Sequence, residues 1–142
     1  MAQCSERWQE GTAYDFAITD SRDGSFLGGC GMRYLNPVDR VVNLGYWVRT
    51  SRTRQGISTT ATRLLARFGF EELNLNRIEI TAAISNKASQ RVAEKAGAIR
   101  EGFLRNRLVV RVQVADTMVF HEQVSDTVMF SLIPQDMAQP SD

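Results

Sequence analysis

The chain has 142 residues, enough for one domain with a real hydrophobic core but not for two. Apolar residues make up 43% and charged residues 23%, the balance of a folded soluble protein rather than a disordered or fibrous one. Seventeen basic and sixteen acidic side chains leave a formal charge of +1. The net charge therefore does not favour binding to nucleic acid or to a membrane surface, and any anion site must depend on local charges.

Cysteine usage fits a reducing compartment, and hydropathy predicts no membrane span. The two cysteines, Cys4 and Cys30, have no partners at ligand spacing, so the sequence predicts neither a metal site nor a disulfide framework. No run approaches the roughly 18 apolar residues of a membrane span, and the first residues lack a signal-peptide pattern. We expect a cytoplasmic protein that binds neither metal nor membrane.

The first third of the chain predicts three strands. Residues 14–19 alternate large and polar side chains, residues 20–24 form a turn cluster, and residues 26–35 resume the extended pattern, which indicates a hairpin. After the break at Asn36-Pro37, residues 41–48 carry the β-branched and aromatic side chains of a third strand.

A helix and an interior strand are predicted next. Beyond Gly56, apolar residues recur on one helix face, at Ile57, Ala61, Leu64, Leu65 and Phe68. Residues 74–76 end this helix, and the alternation within residues 77–84 predicts a strand in the sheet interior.

A second helix follows, capped by Ser85 or Asn86 and closed by Gly97 as a left-handed C-cap. Its apolar face is predicted from side chains at four-residue intervals: Ala88, Val92 and Ala96.

Residues 99–108 and 108–120 are predicted as two further strands. Residues 114–120 are echoed by residues 124–130, a repeat that two neighbouring antiparallel strands would explain. We expect a single domain over residues 1–133 and a flexible tail over 134–142, which holds two of the three prolines. The order of elements predicts an α/β (α+β) fold.

The junction between the third strand and the first helix has the outline of an anion site. It joins Arg49, Arg52 and Arg54 to Gly56 and the hydroxyl residues 58–60. Free N–H groups at a helix N-terminus attract phosphate, and glycine lets the backbone approach closely. The alternative is an ordinary capped helix beside a solvated basic loop.

Several blocks, in the right order, resemble the GNAT superfamily of N-acetyltransferases, and within it the Rim-type ribosomal-protein N-terminal acetyltransferases. They are Asn-Leu-Gly-Tyr-Trp-Val at 43–48, Thr-Arg-Gln-Gly-Ile-Ser at 53–58, Phe-Glu-Glu-Leu-Asn-Leu-Asn-Arg at 70–77, and the helix at 86–97 with Arg-Glu-Gly at 100–102. The resemblance covers roughly residues 14 to 133. It implies a mixed, mostly antiparallel sheet flanked by helices, here without the family's first strand and first helix.

The resemblance also implies an acetyl-CoA site at a splayed pair of strands. Backbone groups of one loop would bind the pyrophosphate, with help from Thr59: Arg54, Gln55, Gly56, Ile57 and Ser58. Three strand residues would lie along the pantetheine arm: Tyr46, Trp47 and Val48. A strand N–H near Val48 would stabilise the oxyanion.

From the other side, the resemblance places Asn86 against the pantetheine arm. Ser89, one helical turn later, is implied as the acid that protonates the departing thiolate. The alternative for Ser89 is a surface hydroxyl bonded to its own helix.

No general base is assigned. Asn43 and Leu108 stand at positions that are acidic in some family members. An Asp-then-Tyr pattern on the terminal strand is replaced by Asp116 with Phe120 or Asp126 with Phe130, which leaves the register open. The remaining titratable residues are only candidates: His121, Glu122, Asp116 and Glu101.

We therefore expect an N-acetyltransferase that moves acetyl from acetyl-CoA to a primary amine of a protein N-terminus or small molecule. The front of the fold is short, which leaves a sheet edge open and predicts a homodimer. The alternative is a truncated, catalytically silent acyl-CoA-binding or protein-interaction module. Nucleic acid is not an expected partner, because the arginines form only one local patch.

Overall fold

The computed structural model describes residues 11–48 and 56–138. Within them, six strands form one sheet in the order β1-β2-β3-β4-β6-β5, and only the β3–β4 pair is parallel. The elements are β1 Ala13–Thr19, β2 Phe26–Asn36, β3 Val41–Val48, α1 Ile57–Glu72, β4 Arg77–Ala83, α2 Lys87–Lys95, β5 Ile99–Gln113 and β6 Phe120–Leu132. This is the mixed, mostly antiparallel sheet with helices that the resemblance implied.

The β1–β2 hairpin forms where the turn residues predicted it. The Asp20 carboxylate accepts the N–H of Arg22 at 2.8 Å, and the Asp20 carbonyl accepts the N–H of Gly24 at 2.8 Å. Gly24 has a φ of 74°, a conformation that glycine adopts without a steric penalty. Hydrogen bonds among residues 20–25 therefore stabilise this turn locally.

The core lies between one face of the sheet and the two helices. Met32 and Leu44 of the sheet pack with Leu65 and Ala66 of α1, and Phe130 of β6 belongs to the same buried cluster. The alternating burial of β4, and its pairing with β3 on one side and β6 on the other, confirm the predicted interior strand.

The predicted apolar face of α2 is right at its end and wrong at its start. Ala96 is buried and Val92 is partly buried, as predicted, but Ala88 is exposed, and Gln90 and Ala93 are buried instead. The Gln90 side-chain amide donates to the carbonyls of Ala83 at 3.1 Å and Ile84 at 3.0 Å. A buried glutamine orients this helix, and a pattern that counts only apolar side chains misses it.

The predicted boundaries of the last strands are also wrong. The two expected strands 99–108 and 108–120 are a single strand, β5, followed by a turn over residues 114–119. The first copy of the repeat forms this turn, because the N–H of Val114 bonds to the carbonyl of Val119 at 2.9 Å and the N–H of Val119 bonds to the Thr117 hydroxyl at 3.1 Å. The second copy lies in β6, so two similar sequences have different structures.

The segment expected to be a flexible tail begins with a 3-10 helix, Pro134–Ala138. The N–H of Ile133 donates to the Asp136 carboxylate at 2.8 Å, and Met137 packs against the core. Neither described helix is long and apolar enough to cross a bilayer.

Candidate acetyl-CoA site

The central feature of the site is a parallel pair of strands that separates. β3 and β4 pair at Val41 with Arg77, at Val42 with Ile78 and at Asn43 with Glu79, and at no later position. Both strands continue beyond this point, to Val48 and Ala83. The side of β3 that faces the gap therefore offers backbone N–H and C=O groups to a ligand.

A cleft of about 730 Å³ opens where the strands separate. This volume lies within the range of small-molecule sites. Its base is formed by β3 and β4, one wall by the start of α2, and the other wall by β5 and β6. The wall residues from the last two strands include Leu108, Val110, Gln123, Ser125 and Asp126.

Three of the expected site residues meet in this cleft: Tyr46, Asn86 and Ser89 all line it. The Tyr46 hydroxyl donates to the backbone carbonyl of Ser89 at 2.8 Å, and the Ser89 hydroxyl donates to the Tyr46 oxygen at 3.3 Å. Burial raises the pKa of the Tyr46 phenol, and the Ser89 hydrogen bond opposes that rise. The Ser89 hydroxyl therefore donates its hydrogen bond to a residue of β3 across the gap, and not to a carbonyl of its own helix.

Asn86 is the N-cap of α2, one of the two predicted caps. Its side-chain oxygen accepts the N–H of Ser89 at 3.1 Å. The oxygen thus holds the first turn of α2 in place, which leaves the amide NH₂ group for a ligand in the cleft.

Trp47 and Val48 do not line the cleft with their side chains. The Trp47 ring is 56% exposed, lies over Gly29 and packs against Phe26 with ring centroids 5.6 Å apart. Val48 is paired with Gly28 of β2. Neither residue is therefore among those that line the cleft.

The first turn of α1 holds the expected pyrophosphate residues Gly56, Ile57, Ser58 and Thr59. Gly56 is the N-cap, has a left-handed φ of 72°, and no side chain caps the helix. Within residues 56–138, no side-chain cap is recorded at this N-terminus, which is the arrangement that an anion site at a helix N-terminus requires. Arg54 and Gln55 lie outside the described residues.

None of the four candidate bases lines the cleft. Hydrogen bonds from Arg77 and then Ser131, each at 2.8 Å, lower the pKa of the Glu101 carboxyl to about 2, which makes it a poor proton acceptor. Asp116 lies in the 114–119 turn, and His121 and Glu122 are exposed at the start of β6.

Among the described residues, the carboxylate that lines the cleft is Asp126, which the sequence analysis named as a terminal-strand candidate but not as a base. Its side chain accepts the N–H of Asn106 at 2.8 Å, where β5 departs from regular pairing between Leu104 and Leu108. Four residues later, Phe130 is fully buried in the core. Asp126 and Phe130 therefore both lie within β6, whereas Asp116 lies in the turn before it.

A second hollow of about 380 Å³ lies on the opposite face of β3. Asp15, Asn43 and Trp47 line it, and it shares Gly45 and Tyr46 with the cleft. Two openings therefore meet at the middle of β3. Among the described residues, no three His, Cys, Asp or Glu side chains gather as a metal site would require.

Comparison with known sequences gives a consistent picture. A model of the acetyltransferase (GNAT) domain matches residues 1–99. The chain is 41% identical over 88 residues to YdaF of Bacillus subtilis, whose name assigns it provisionally to the ribosomal N-acetyltransferases; the match covers 62% of this chain and 48% of YdaF. It is 29% identical over 97 residues to the ribosomal-protein-serine acetyltransferase of Escherichia coli, covering 68% of this chain and 53% of that protein. The chain thus spans about half the length of these relatives.

Solved structures agree with the fold. RimJ of Mycobacterium smegmatis, in complex with CoA-disulfide, superposes with a TM-score of 0.81 at 26% identity, covering 99% of this chain and 62% of that one. The spermidine N-acetyltransferase of Vibrio cholerae, in complex with CoA and spermine, has a TM-score of 0.78 at 14% identity, covers 97% of this chain and 75% of that one, and so shares the fold alone. The chain belongs to the GNAT acetyltransferase family.

Proposed function

We propose that this chain is the acetyl-CoA-binding part of an N-acetyltransferase that moves an acetyl group from acetyl-CoA to a primary amine. The observation that carries the proposal is the gap between β3 and β4, with Tyr46, Asn86 and Ser89 around it. The relatives named as N-acetyltransferases support the same reaction.

The donor is proposed to lie along β3. Its pyrophosphate would bind the open N–H groups of α1 from Gly56 to Thr59, where the helix dipole favours negative charge, together with the backbone of Arg54 and Gln55. Its pantetheine arm would bond to the backbone of residues 46–48, opposite the Asn86 amide. No metal has a part in this scheme.

The reaction is proposed to be direct attack in a ternary complex. The lone pair of the neutral amine forms a bond to the thioester carbon, and a backbone N–H near Val48 stabilises the oxyanion. The carbon–sulfur bond then breaks, and sulfur leaves with its electron pair. The nitrogen releases one proton to solvent, and the thiolate takes one proton from a hydroxyl in the cleft.

The amine is proposed to approach through the second hollow, because that hollow meets the cleft at Gly45 and Tyr46. A protein N-terminus is the favoured acceptor, since two of the relatives carry ribosomal-protein acetyltransferase names. Transfer measured by mass spectrometry on a panel of peptides, polyamines and small amines tests this choice.

A homodimer is part of the proposal. β1 and β5 are the outermost of the described strands and present edges to a second chain. Sedimentation at several concentrations tests it, and a strictly monomeric particle would contradict it.

The decisive test of the cofactor site is calorimetric titration with acetyl-CoA of the wild type, Gly56→Ala and Gly56→Glu. Both variants impose the same strain on a left-handed residue, but only the glutamate places a carboxylate where the pyrophosphate should bind. We expect one-to-one binding by the wild type, a small loss for alanine, and an affinity at least about 100-fold weaker for glutamate. Equal losses in the two variants would contradict the phosphate site.

The alternative function is a truncated, catalytically silent acyl-CoA-binding module. A shortage of possible general bases favours it. Asn43 and Leu108 carry no carboxylate, and Asp126 is the only carboxylate among the described residues that line the cleft. Binding of acetyl-CoA without transfer to any amine of the panel would establish this alternative.

A further inference from the structure

We propose that Tyr46 is the proton donor to the departing thiolate, and that Ser89 is a positioning residue that acts through the Tyr46 oxygen. This inference rests on the proposed acetyl transfer. It reverses the assignment that the family resemblance implies for Ser89.

The direction of the hydrogen bonds carries the argument. Ser89 donates its hydroxyl proton to Tyr46 at 3.3 Å, so in this arrangement the serine proton points at the phenol oxygen. The Tyr46 hydroxyl donates a hydrogen bond to the backbone carbonyl of Ser89, with 2.8 Å between the two oxygens. Rotation about the C–O bond of the phenol turns that proton into the cleft, while the serine bond to the same oxygen can persist.

The chemistry favours the phenol over the alcohol. A phenol ionises near pKa 10, close to a thiol at about 8.5, so proton transfer from tyrosine to a thiolate is nearly balanced. A serine alcohol is a far weaker acid and would leave an unstable alkoxide. Burial raises the pKa of the Tyr46 phenol, which keeps it protonated at neutral pH.

The protons given and taken up in the proposed reaction balance. The phenol O–H bond breaks, its proton goes to the sulfur, and its electron pair stays on oxygen as a phenolate that the Ser89 hydroxyl stabilises. The proton that the amine nitrogen releases to water then restores the phenol. The net result is one amide, one free thiol and unchanged side chains.

Position supports the same role. Tyr46 lies at the meeting point of the donor cleft and the second hollow, since it lines both. Its side chain is half-buried and reaches from β3 to the first turn of α2, 43 residues away in sequence. A group that donates a proton to the departing thiolate must be within reach of the sulfur, and a residue in the cleft proposed for the donor meets that requirement.

The test compares kcat for Tyr46→Phe, Ser89→Ala and the double variant, with Tyr34→Phe as the matched control. Tyr34 is on β2, packs against the core and lines neither opening. We expect a loss of about 100-fold for Tyr46→Phe, less than about 10-fold for Ser89→Ala, and no further loss in the double variant. The KM for acetyl-CoA should stay within about twofold. A larger loss for Ser89→Ala than for Tyr46→Phe would overturn the assignment.

The pH dependence of kcat gives a second readout that a merely structural role would not move. An acid must be protonated, so kcat of the wild type should fall at alkaline pH as Tyr46 ionises. Ser89→Ala removes a bond to the phenolate, so this fall should shift to higher pH. Tyr46→Phe should abolish it, and an unchanged alkaline fall in that variant would contradict the proposal.

A third measurement does not depend on activity. The chain has three tyrosines, so in a Tyr14→Phe, Tyr34→Phe background the ultraviolet phenolate signal belongs to Tyr46 alone. Adding Ser89→Ala should raise the midpoint of this titration. An unchanged midpoint would overturn the coupling between the two hydroxyls, whereas absence of transfer by the wild type would count against the proposed function instead.

Discussion

The two ends of the long β5–β6 pair differ in what supports them. At one end, residues 127–131 of β6 pair with β4 as well as with β5, and Val128, Phe130 and Leu132 are fully buried. At the other end, residues 120–125 pair with β5 alone, and Val109 remains 54% exposed. One end stabilises the fold, and the other extends the wall of the cleft.

The junction between the two ends is where the site is built. β5 departs from regular pairing between Leu104 and Leu108, Asn106 takes a positive φ of 50°, and Asp126 accepts its N–H. Asp126 also bonds through its carbonyl to the N–H of Ile84 at 3.0 Å, beyond the end of β4. One of the two irregularities in the β5–β6 pairing, the one between Leu104 and Leu108, thus lies at the cleft.

The largest expected effect is in the buried end. Phe130→Ala should lower the free energy of unfolding by about 3–5 kcal/mol, because it removes a fully buried aromatic side chain and leaves a cavity. Val124→Ala, in the projecting end, should cost less than about 0.5 kcal/mol. Urea denaturation of both variants measures the difference, and similar losses would show that the two ends are equally supported.

The sequence predicted the parts of this contrast that depend on local chemistry. The β1–β2 turn, the interior strand β4 and the Asn86 cap each follow from residues within a few positions of one another. The 114–119 turn was mistaken for strand, because its valines and Phe120 suit an extended chain and the Thr117 hydrogen bonds that fold it are not visible in a periodicity.

The candidate site was predictable only in outline. The family resemblance implied that Tyr46, Asn86 and Ser89 belong to one site, but no local pattern could indicate that the Tyr46 and Ser89 hydroxyls bond to each other. The same limit applies to Asp126, whose position in the cleft depends on the departure of β5 from regular pairing. Contacts between distant segments require the fold.

A smaller effect concerns the pH dependence of the free energy of unfolding, to which a carboxylate at the buried end should contribute more than one at the projecting end. The pKa of the Glu101 carboxyl is about 2 against an ordinary 4.5, owing to hydrogen bonds from Arg77 and Ser131. A lowered folded pKa means that the pair stabilises the protein fully above about pH 4.5, and that this stabilisation is lost as the pH falls toward 2. Because the Glu101 side chain is 41% exposed, we expect at most about 1 kcal/mol.

Glu101→Gln should therefore reduce stability near neutral pH and flatten its loss between pH 4.5 and 2. Glu122→Gln is the matched control in the projecting end, where the carboxylate makes no ion pair with the described residues. Urea midpoints of the wild type and both variants, measured across this pH range, show whether Glu101 causes the loss of stability in acid. A Glu122→Gln variant that flattens the curve equally would mean that general charge, and not the Arg77 contact, causes the acid loss.

The smallest effect on stability should be the most informative about function. Val109 and Val110 are neighbours on β5 whose side chains point to opposite faces, and only Val110 lines the cleft. Val109→Ala and Val110→Ala should each lower the free energy of unfolding by less than about 1 kcal/mol, because the pair of strands is open to solvent there. If the projecting end is a wall of the substrate site, Val110→Ala alone should change the KM for the acceptor amine or for acetyl-CoA by several-fold. Equal KM values in the two variants would show that this end of the hairpin has no part in binding, and that the cleft ends at Leu108.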